Sequence, residues 1–292
     1  MQISNIGVVS PGDMGQAIAG CLKESGINVH TALDGRSPRT RKLAQEAGLA
    51  DCGSMEKLVA TCDMVLSVLN PAAAVATARR AAAAIKATGR NITFVDCNAV
   101  SPQTVHEIEA IIRGAGGVFV DVGIIGAPPR GKTVTKFYVS GPDARQFMQI
   151  GHPRLVMRMV SERPGDASGV KMCYGSLTKG AGALAVEMLV AARRLGVERT
   201  LETELGESMG VVYDWLMTRM PPMPPKAYRW APEMREIAKT FEGAGMTPRM
   251  MQGAAEIYDM VAATPIAKES PEQARKLARS GTEVVQTIAD GK

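Results

Sequence analysis

Near the start of the chain, Ser10-Pro11-Gly12-Asp13-Met14-Gly15 has the make-up of a turn that can hold phosphate. An apolar stretch of strand length, residues 3–9, precedes it, and residues 13–24 are expected to be helical. Strand, glycine turn and helix in that order aim backbone N–H groups and the positive end of a helix dipole at one point, which suits a pyrophosphate. Gly12 allows close approach of a ligand, and Gly15 allows close packing of helix on strand. Ser10 stands where the pattern GxGxxG has its first glycine, so the motif is imperfect. The chemistry implied is dinucleotide binding; the plainer alternative is an ordinary strand-to-helix turn.

At the end of the second apolar stretch the chain reads Asp34-Gly35-Arg36-Ser37-Pro38-Arg39. An acidic residue at the distance of Asp34 from the glycine turn accepts from an adenosine ribose 2′-hydroxyl, the mark of NAD. A guanidinium and a hydroxyl directly after it suit a 2′-phosphate, the mark of NADP. With Arg36 and Ser37 both present, NADP is the expected cofactor and NAD remains possible. A third chemical feature lies far down the chain, in a stretch expected to be helical from about Ser168. At 100° per residue Lys171, Gly175, Thr178 and Gly182 share one face, Tyr174 lies at its margin and Lys179 can reach the same space from the edge. A lysine among small residues has room for a ligand beside it, although most helical lysines simply reach solvent.

The elements that must position these groups follow from periodicity. Strand-length apolar runs at 3–9, 27–33, 64–69 and 92–97 alternate with helical stretches such as residues 71–86, and further runs follow at 118–122 and 133–139. This order predicts βαβ units and a parallel, doubly wound sheet of the Rossmann type. Beyond Pro164 and Gly165 no period-2 segment appears, so an α/β dinucleotide-binding domain (1–163) is expected to precede an all-α substrate and dimerisation domain (164–292). The proline-dense segment at 220–232 reads as a loop between helices.

Composition sets the outer limits. With 292 residues, 46% hydrophobic and 22% charged, the chain has the make-up of a globular protein, and no apolar run is long enough for a membrane span. The net charge of +5 comes from residues 1–160 and is scattered, which suits a phosphate-bearing small molecule better than nucleic acid. Five cysteines without a CxxC pair, and His30, His106 and His152 without metal spacing, point to a reducing, cytoplasmic setting and no bound metal. Eleven of the 18 methionines and both tryptophans fall in residues 161–292, more apolar bulk than one small core needs, so a homodimer through the helical domain is expected.

Taken together, the glycine turn, the Gly35-Arg36-Ser37 segment and the late lysine resemble the β-hydroxyacid dehydrogenase family, which includes 3-hydroxyisobutyrate and 6-phosphogluconate dehydrogenases. The resemblance covers the first domain and the start of the second. It implies that Leu69-Asn70-Pro71 borders the nicotinamide half of the cofactor, that residues 96–102 form the substrate segment, and that Lys171 is the catalytic lysine. Lys171 would then move the hydroxyl proton as general acid/base while hydride passes between nicotinamide and the carbinol carbon. Asn98 and Ser101 would orient the substrate, with Ala99, Gly126, Tyr174, Gly175, Thr178 and Lys179 around it. The departures lie in the substrate positions. Asn98-Ala99 replaces a Ser-Thr pair, Ile125-Gly126-Ala127 replaces Ser-Gly-Gly, and Gly175 replaces an asparagine. They imply a substrate bulkier and less polar than small 3-hydroxy acids, facing a wall of Tyr174, Tyr213, Trp215, Met220, Met223, Tyr228 and Trp230. The segment RWAPEMREIA resembles a divergent branch whose C-terminal domain lacks a functional description. Two alternatives differ in chemistry: an imine reductase, which generally replaces this lysine, and a non-catalytic dinucleotide-binding redox sensor.

Overall fold

Alternation along the strands sorts the first half of the chain into two faces of one sheet. In the computed structural model, which describes residues 3–291, the strands are β1 (Asn5–Val9), β2 (Asn28–Thr31), β3 (Ala50–Asp51), β4 (Met64–Ser67), β5 (Thr93–Asp96), β6 (Val118–Ile125), β7 (Thr135–Ser140) and β8 (Leu155–Ser161). Their spatial order is β3-β2-β1-β4-β5-β6-β7-β8. Ile6, Val8, Met64, Leu66, Val95, Val120 and Val122 point to one side, where α1 (Asp13–Glu24) covers them. Val9, Val65, Phe94 and Phe119 point to the other, under α3 (Met55–Thr61), α4 (Ala74–Thr88) and α5 (Pro102–Arg113). Helices α2 (Pro38–Glu46) and α6 (Ala144–Met148) complete this part. The doubly wound α/β architecture is the one expected, and the strand order reverses between β1 and β4, opening a crevice at their carboxyl ends.

The remaining helices are α7 (Asp166–Arg194), α8 (Glu198–Met217), α9 (Ala227–Gly243), α10 (Arg249–Ala262), α11 (Pro271–Leu277) and α12 (Gly281–Ala289). The residues form two compact units that divide between Met172 and Cys173, inside α7. The second unit is helical throughout, as the loss of period-2 pattern predicts.

Three details differ from the periodicity. β7 runs antiparallel to β6, so the sheet is mixed, and the strands β3 and β8 were not foreseen. β3 is two exposed residues, and β8 is a half-exposed edge strand whose LVMRMVS has no clean alternation. The proline-dense segment is only partly a loop: residues 224–226 form a 3₁₀ turn and α9 begins at Ala227, with Pro232 inside it. Pro232, in the second turn, costs α9 the i→i−4 hydrogen bond to the Tyr228 carbonyl.

Candidate functional site

At the end of β1 the chain turns through Ser10 at φ +63°. Glycine takes that left-handed conformation without strain, so serine here accepts a modest backbone cost and keeps the turn geometry. Pro11 is buried beneath the turn and Met14 packs on the sheet core. The Gly12 N–H donates to the Ser10 carbonyl at 2.7 Å, and Gly12 then caps α1 with no side chain to satisfy the first-turn N–H groups. A Cβ on Gly12 would meet nothing within 4 Å, whereas one on Gly15 would lie 3.1 Å from the Ser10 carbonyl oxygen and 3.3 Å from Val8 Cγ1. Open space over an uncapped helix start, with the helix pressed onto the strand behind it, fits a pyrophosphate. The Asp13 carboxylate lies 3.5 Å from Arg39 and 3.7 Å from Arg130, and Arg130 also donates to the Asp13 carbonyl at 3.1 Å. Arg130 belongs to the loop between β6 and β7; sequence reasoning missed it, because only the fold carries that loop to α1.

At the end of β2, Asp34 accepts from Arg80 of α4 at 2.7 Å. Ser37 is the N-cap of α2: its Oγ accepts from the Thr40 N–H at 3.3 Å and lies 3.1 Å from Thr40 Oγ1. Arg36 lies between them in sequence, with its Nε buried and without a hydrogen-bond partner. Burial lowers the proton affinity of its guanidinium, the charge of Arg80 lowers it further, and Asp34 partly opposes both.

Beyond β4, Leu69, Asn70 and Pro71 enter a 3₁₀ turn whose cap is Asn70, its Oδ1 accepting from the Ala72 N–H at 3.1 Å. Asn98, at 2% exposure, fixes this loop: its Oδ1 accepts from the Leu69 N–H at 2.8 Å, and its Nδ2 donates to Ser67 Oγ at 2.9 Å and to Asp96 Oδ1. Both amide hydrogens are thus engaged between strand ends. Ser101 is fully buried and caps α5 through Thr104. In this arrangement the two side chains hold the loop after β5. Ala99, between them, is half-exposed.

Lys171 owes its place to β6. The buried carboxylate of Asp121 accepts from Ser140 Oγ (2.9 Å), from the N–H groups of Gly165 (2.9 Å) and Ser168 (3.1 Å), and from Ser168 Oγ (2.6 Å). Burial pushes its carboxyl up from the ordinary range, against the pull of those four hydrogen bonds. The first turn of α7 is therefore tied to the sheet. Two residues along, on the same face of β6, Gly123 admits the helix: a Cβ there would lie 2.5 Å from the Ala167 carbonyl oxygen and 3.0 Å from Lys171 Cβ. Pro102, at the end of the 98–101 loop, lies where Cβ atoms on Gly165 and Gly169 would come within 3.2 Å and 3.9 Å of it. Half-buried Lys171 and the loop after β5 are brought to one end of the sheet, and Gly126, at φ +133°, ends β6 there in a conformation suited to glycine. Asp121 was also missed, although a lone carboxylate inside the apolar run VFVDVGII was a visible signal.

The later positions on α7 behave otherwise. Gly175 is buried, and a Cβ on it would lie 3.2 Å from Ile237 Cδ1 and 3.6 Å from Glu233 Oε1 of α9. On Gly182 it would lie 2.9 Å from the Tyr258 hydroxyl of α10. The stripe of small residues admits neighbouring helices, which corrects the reading of Gly175 as open space. Lys179 donates to the buried carboxylate of Glu233 at 2.6 Å and lies 5.7 Å from the centre of the Trp230 ring, and its carbonyl accepts from Tyr258 Oη at 2.7 Å. Thr178 Oγ1 donates back to the Tyr174 carbonyl. The expected aromatic and methionine wall is dispersed: Met220 and Met223 are buried, Trp215 stacks on Arg219, Tyr213 donates to Glu202, and Tyr174 and Tyr228 are exposed. Among the described residues no group of His, Cys, Asp and Glu could hold a metal ion, and no helix is long and apolar enough to cross a membrane.

A mixed sheet with a glycine turn at the switch between β1 and β4, followed by helices alone, defines a nicotinamide-dinucleotide-binding fold, the one shared by 3-hydroxyacid dehydrogenases and imine reductases. The family described as the NAD binding domain of 6-phosphogluconate dehydrogenase matches residues 5–152, and a domain of unknown function matches residues 192–261. The chain belongs to the β-hydroxyacid dehydrogenase family. It is 31% identical to a conserved protein of unknown function whose structure is described as similar to 3-hydroxyacid dehydrogenases, over 93% of this chain and 98% of that one, with a TM-score of 0.63. A 28.5 kDa protein of Methanothermus fervidus is 29% identical over 70% of this chain and 77% of its own. The 3-hydroxyisobutyrate dehydrogenase of Mycobacterium tuberculosis, solved with L-serine, shares the fold at 19% identity, with a TM-score of 0.69 over 95% of this chain and all of that one.

Proposed function

We propose that the chain is an NADP-dependent oxidoreductase acting on a hydroxyl/carbonyl pair, with residues 1–163 binding the dinucleotide and 164–292 serving substrate and pairing of subunits. The observation that supports this reading is the anchoring of the Lys171 backbone: α7 is tied to β6 through Asp121 and admitted by Gly123, which sets the Lys171 Cβ beside β6 near the sheet end to which the loops after β4 and β5 also lead. The turn from Ser10 to Gly15 would hold the pyrophosphate, with Arg39 and Arg130 at its rim; Arg36 and Ser37 would meet the 2′-phosphate; and Leu69, Asn70 and Pro71 would border the nicotinamide. When bound, that group accepts or donates the hydride. Lys171 gives or takes the hydroxyl proton, and Asn98 and Ser101 keep the neighbouring loop in place.

The substrate lacks the small carboxylate of the 3-hydroxy acids, because Ala99 and buried Ile125 offer no donor and the amide hydrogens of Asn98 are spent. Lys171 disfavours the imine reductase reading, since those enzymes generally carry another residue there. Pairing of two copies is supported by α8, none of whose twenty residues is buried, and by the exposure of Leu177, Leu184, Leu195 and Val211. Light scattering at micromolar concentration should give a dimer.

The test follows NADPH absorbance with panels of ketones, semialdehydes and cyclic imines. Turnover of a carbonyl is expected, with an aryl ketone preferred over a small acid by kcat/KM. Lys171→Ala should lower turnover on the order of a hundredfold, about 2.7 kcal/mol, with NADPH affinity nearly unchanged. Wild-type turnover in that variant would remove the lysine from the chemistry.

A further inference from the structure

Arg80 lies on α4, far in sequence from the cofactor motifs, yet its guanidinium meets Asp34, the residue that would ordinarily select NAD. Their side chains are 44% and 45% exposed, so water screens the pair and either partner can be shared with an arriving group. Arg36 stands close enough to Arg80 for the two positive charges to oppose one another, and its buried Nε has no acceptor. Two guanidiniums and one carboxylate leave the rim at the end of β2 positive.

We propose that Arg80 is the residue that sets this chain's cofactor preference. It masks Asp34, which would otherwise accept from a free ribose 2′-hydroxyl and repel a phosphate, and it supplies with Arg36 the second guanidinium for a 2′-phosphate. The proposal rests on the NADP reading above. Its physical core is a charge exchange: when the phosphate arrives, a dianion takes over donors that Asp34 holds only weakly, and the like charges of Arg36 and Arg80 gain a counter-charge between them. Without Arg80 the same carboxylate faces the phosphate bare.

Direct binding tests this without reference to turnover. Dissociation constants for NADPH and NADH are measured by calorimetry on the full chain as wild type, Arg80→Ala, Asp34→Asn and the double variant, with thermal melts to check folding. Wild type is expected to bind NADPH more tightly. Arg80→Ala should weaken NADPH at least tenfold and leave NADH within threefold or tighter. Asp34→Asn should leave NADH within threefold, the carboxylate being masked already, and leave NADPH unchanged or tighter. The double variant should regain part of the NADPH affinity lost in Arg80→Ala, the regained part measuring the mask and the remainder the direct contact. A folded Arg80→Ala protein that keeps the wild-type preference, or loses both cofactors equally, overturns the role of Arg80 alone. A wild type that prefers NADH overturns the 2′-phosphate reading itself, and this proposal with it.

Discussion

The two units differ in where glycine leaves open space and in what partners a buried carboxylate. In the sheet unit Gly12 and Gly126 sit at strand ends, with open space over the first and a glycine-specific backbone at the second, and the buried carboxylate of Asp121 fixes the start of a helix. In the helical unit Gly175, Gly180 and Gly182 lie mid-helix and are filled by Ile237, Met251 and Tyr258, while the buried Glu233 is taken up by Lys179. A small residue marks an opening where the backbone turns away from its neighbours and a packing seam where a helix runs past them. Gly12 and Gly126 are of the first kind, while Gly15 and Gly123 in the sheet unit and Gly175, Gly180 and Gly182 in the helical unit are of the second.

The strongest way to break this comparison is Asp121→Ala. The substitution leaves two hydroxyls and two backbone N–H groups in a buried site without their acceptor. At about 1–3 kcal/mol for each unsatisfied group, with some relaxation, a loss on the order of 3–5 kcal/mol is expected, read from the urea midpoint. Turnover should fall as well, because Lys171 rides on the helix that comes loose. A loss under about 1 kcal/mol would mean that α7 is held to the sheet by other contacts and that the sheet unit does not depend on its buried charge.

A second test separates two cations in the same unit. Arg130 lies beside Asp13 at the turn proposed to hold the pyrophosphate, a group every nicotinamide dinucleotide shares, so Arg130→Ala should weaken NADPH and NADH by a similar factor, about three- to tenfold for a partly exposed guanidinium. Calorimetry reads both constants. Unchanged binding of both would make Arg130 a partner of Asp13 only, and a loss confined to NADPH would move it to the 2′-phosphate.

These two residues also show what the sequence can and cannot disclose. The turn from Ser10 to Gly15 was legible because strand, turn and helix are contiguous, and its imperfection at Ser10 proved a matter of φ rather than of fold. Asp121 was legible in principle, since a carboxylate within an eight-residue apolar strand must have partners; which partners could not be read, because Gly165 and Ser168 come from beyond two further strands. Arg80 and Arg130 carry no local signal, being ordinary cations on an Ala-rich helix and in a Pro-Gly loop until the sheet order sets them beside Asp34 and Asp13. Asn98 was found for its position, and its bonds to Leu69, Ser67 and Asp96 could not be read, because spacing locates a side chain but does not count its hydrogen bonds. The stripe on α7 failed for the same reason in reverse: helical periodicity gives the face, and only tertiary packing says what covers it.

The smallest expected effect is the sharpest test of that last point, and it falls on Gly175. As a packing seam, the site has limited room: an alanine Cβ would come 3.2 Å from Ile237 Cδ1, the end of a flexible side chain, and 3.6 Å from Glu233 Oε1. Tightness of that degree costs up to about 1 kcal/mol, and the gain in helix propensity on replacing a mid-helix glycine is of similar size. The two effects oppose each other, so Gly175→Ala should change stability by less than about 1 kcal/mol in either direction. Its kinetic outcome divides the readings more cleanly. If the added methyl group only packs against Ile237 of α9, as its neighbours indicate, kcat and KM should both stay within threefold of wild type for the ketones proposed above. If KM instead rises tenfold while kcat holds, the methyl group occupies space that the substrate needs. Gly175 would then be an opening after all, and the helical unit would share the property that distinguishes the strand ends of the sheet.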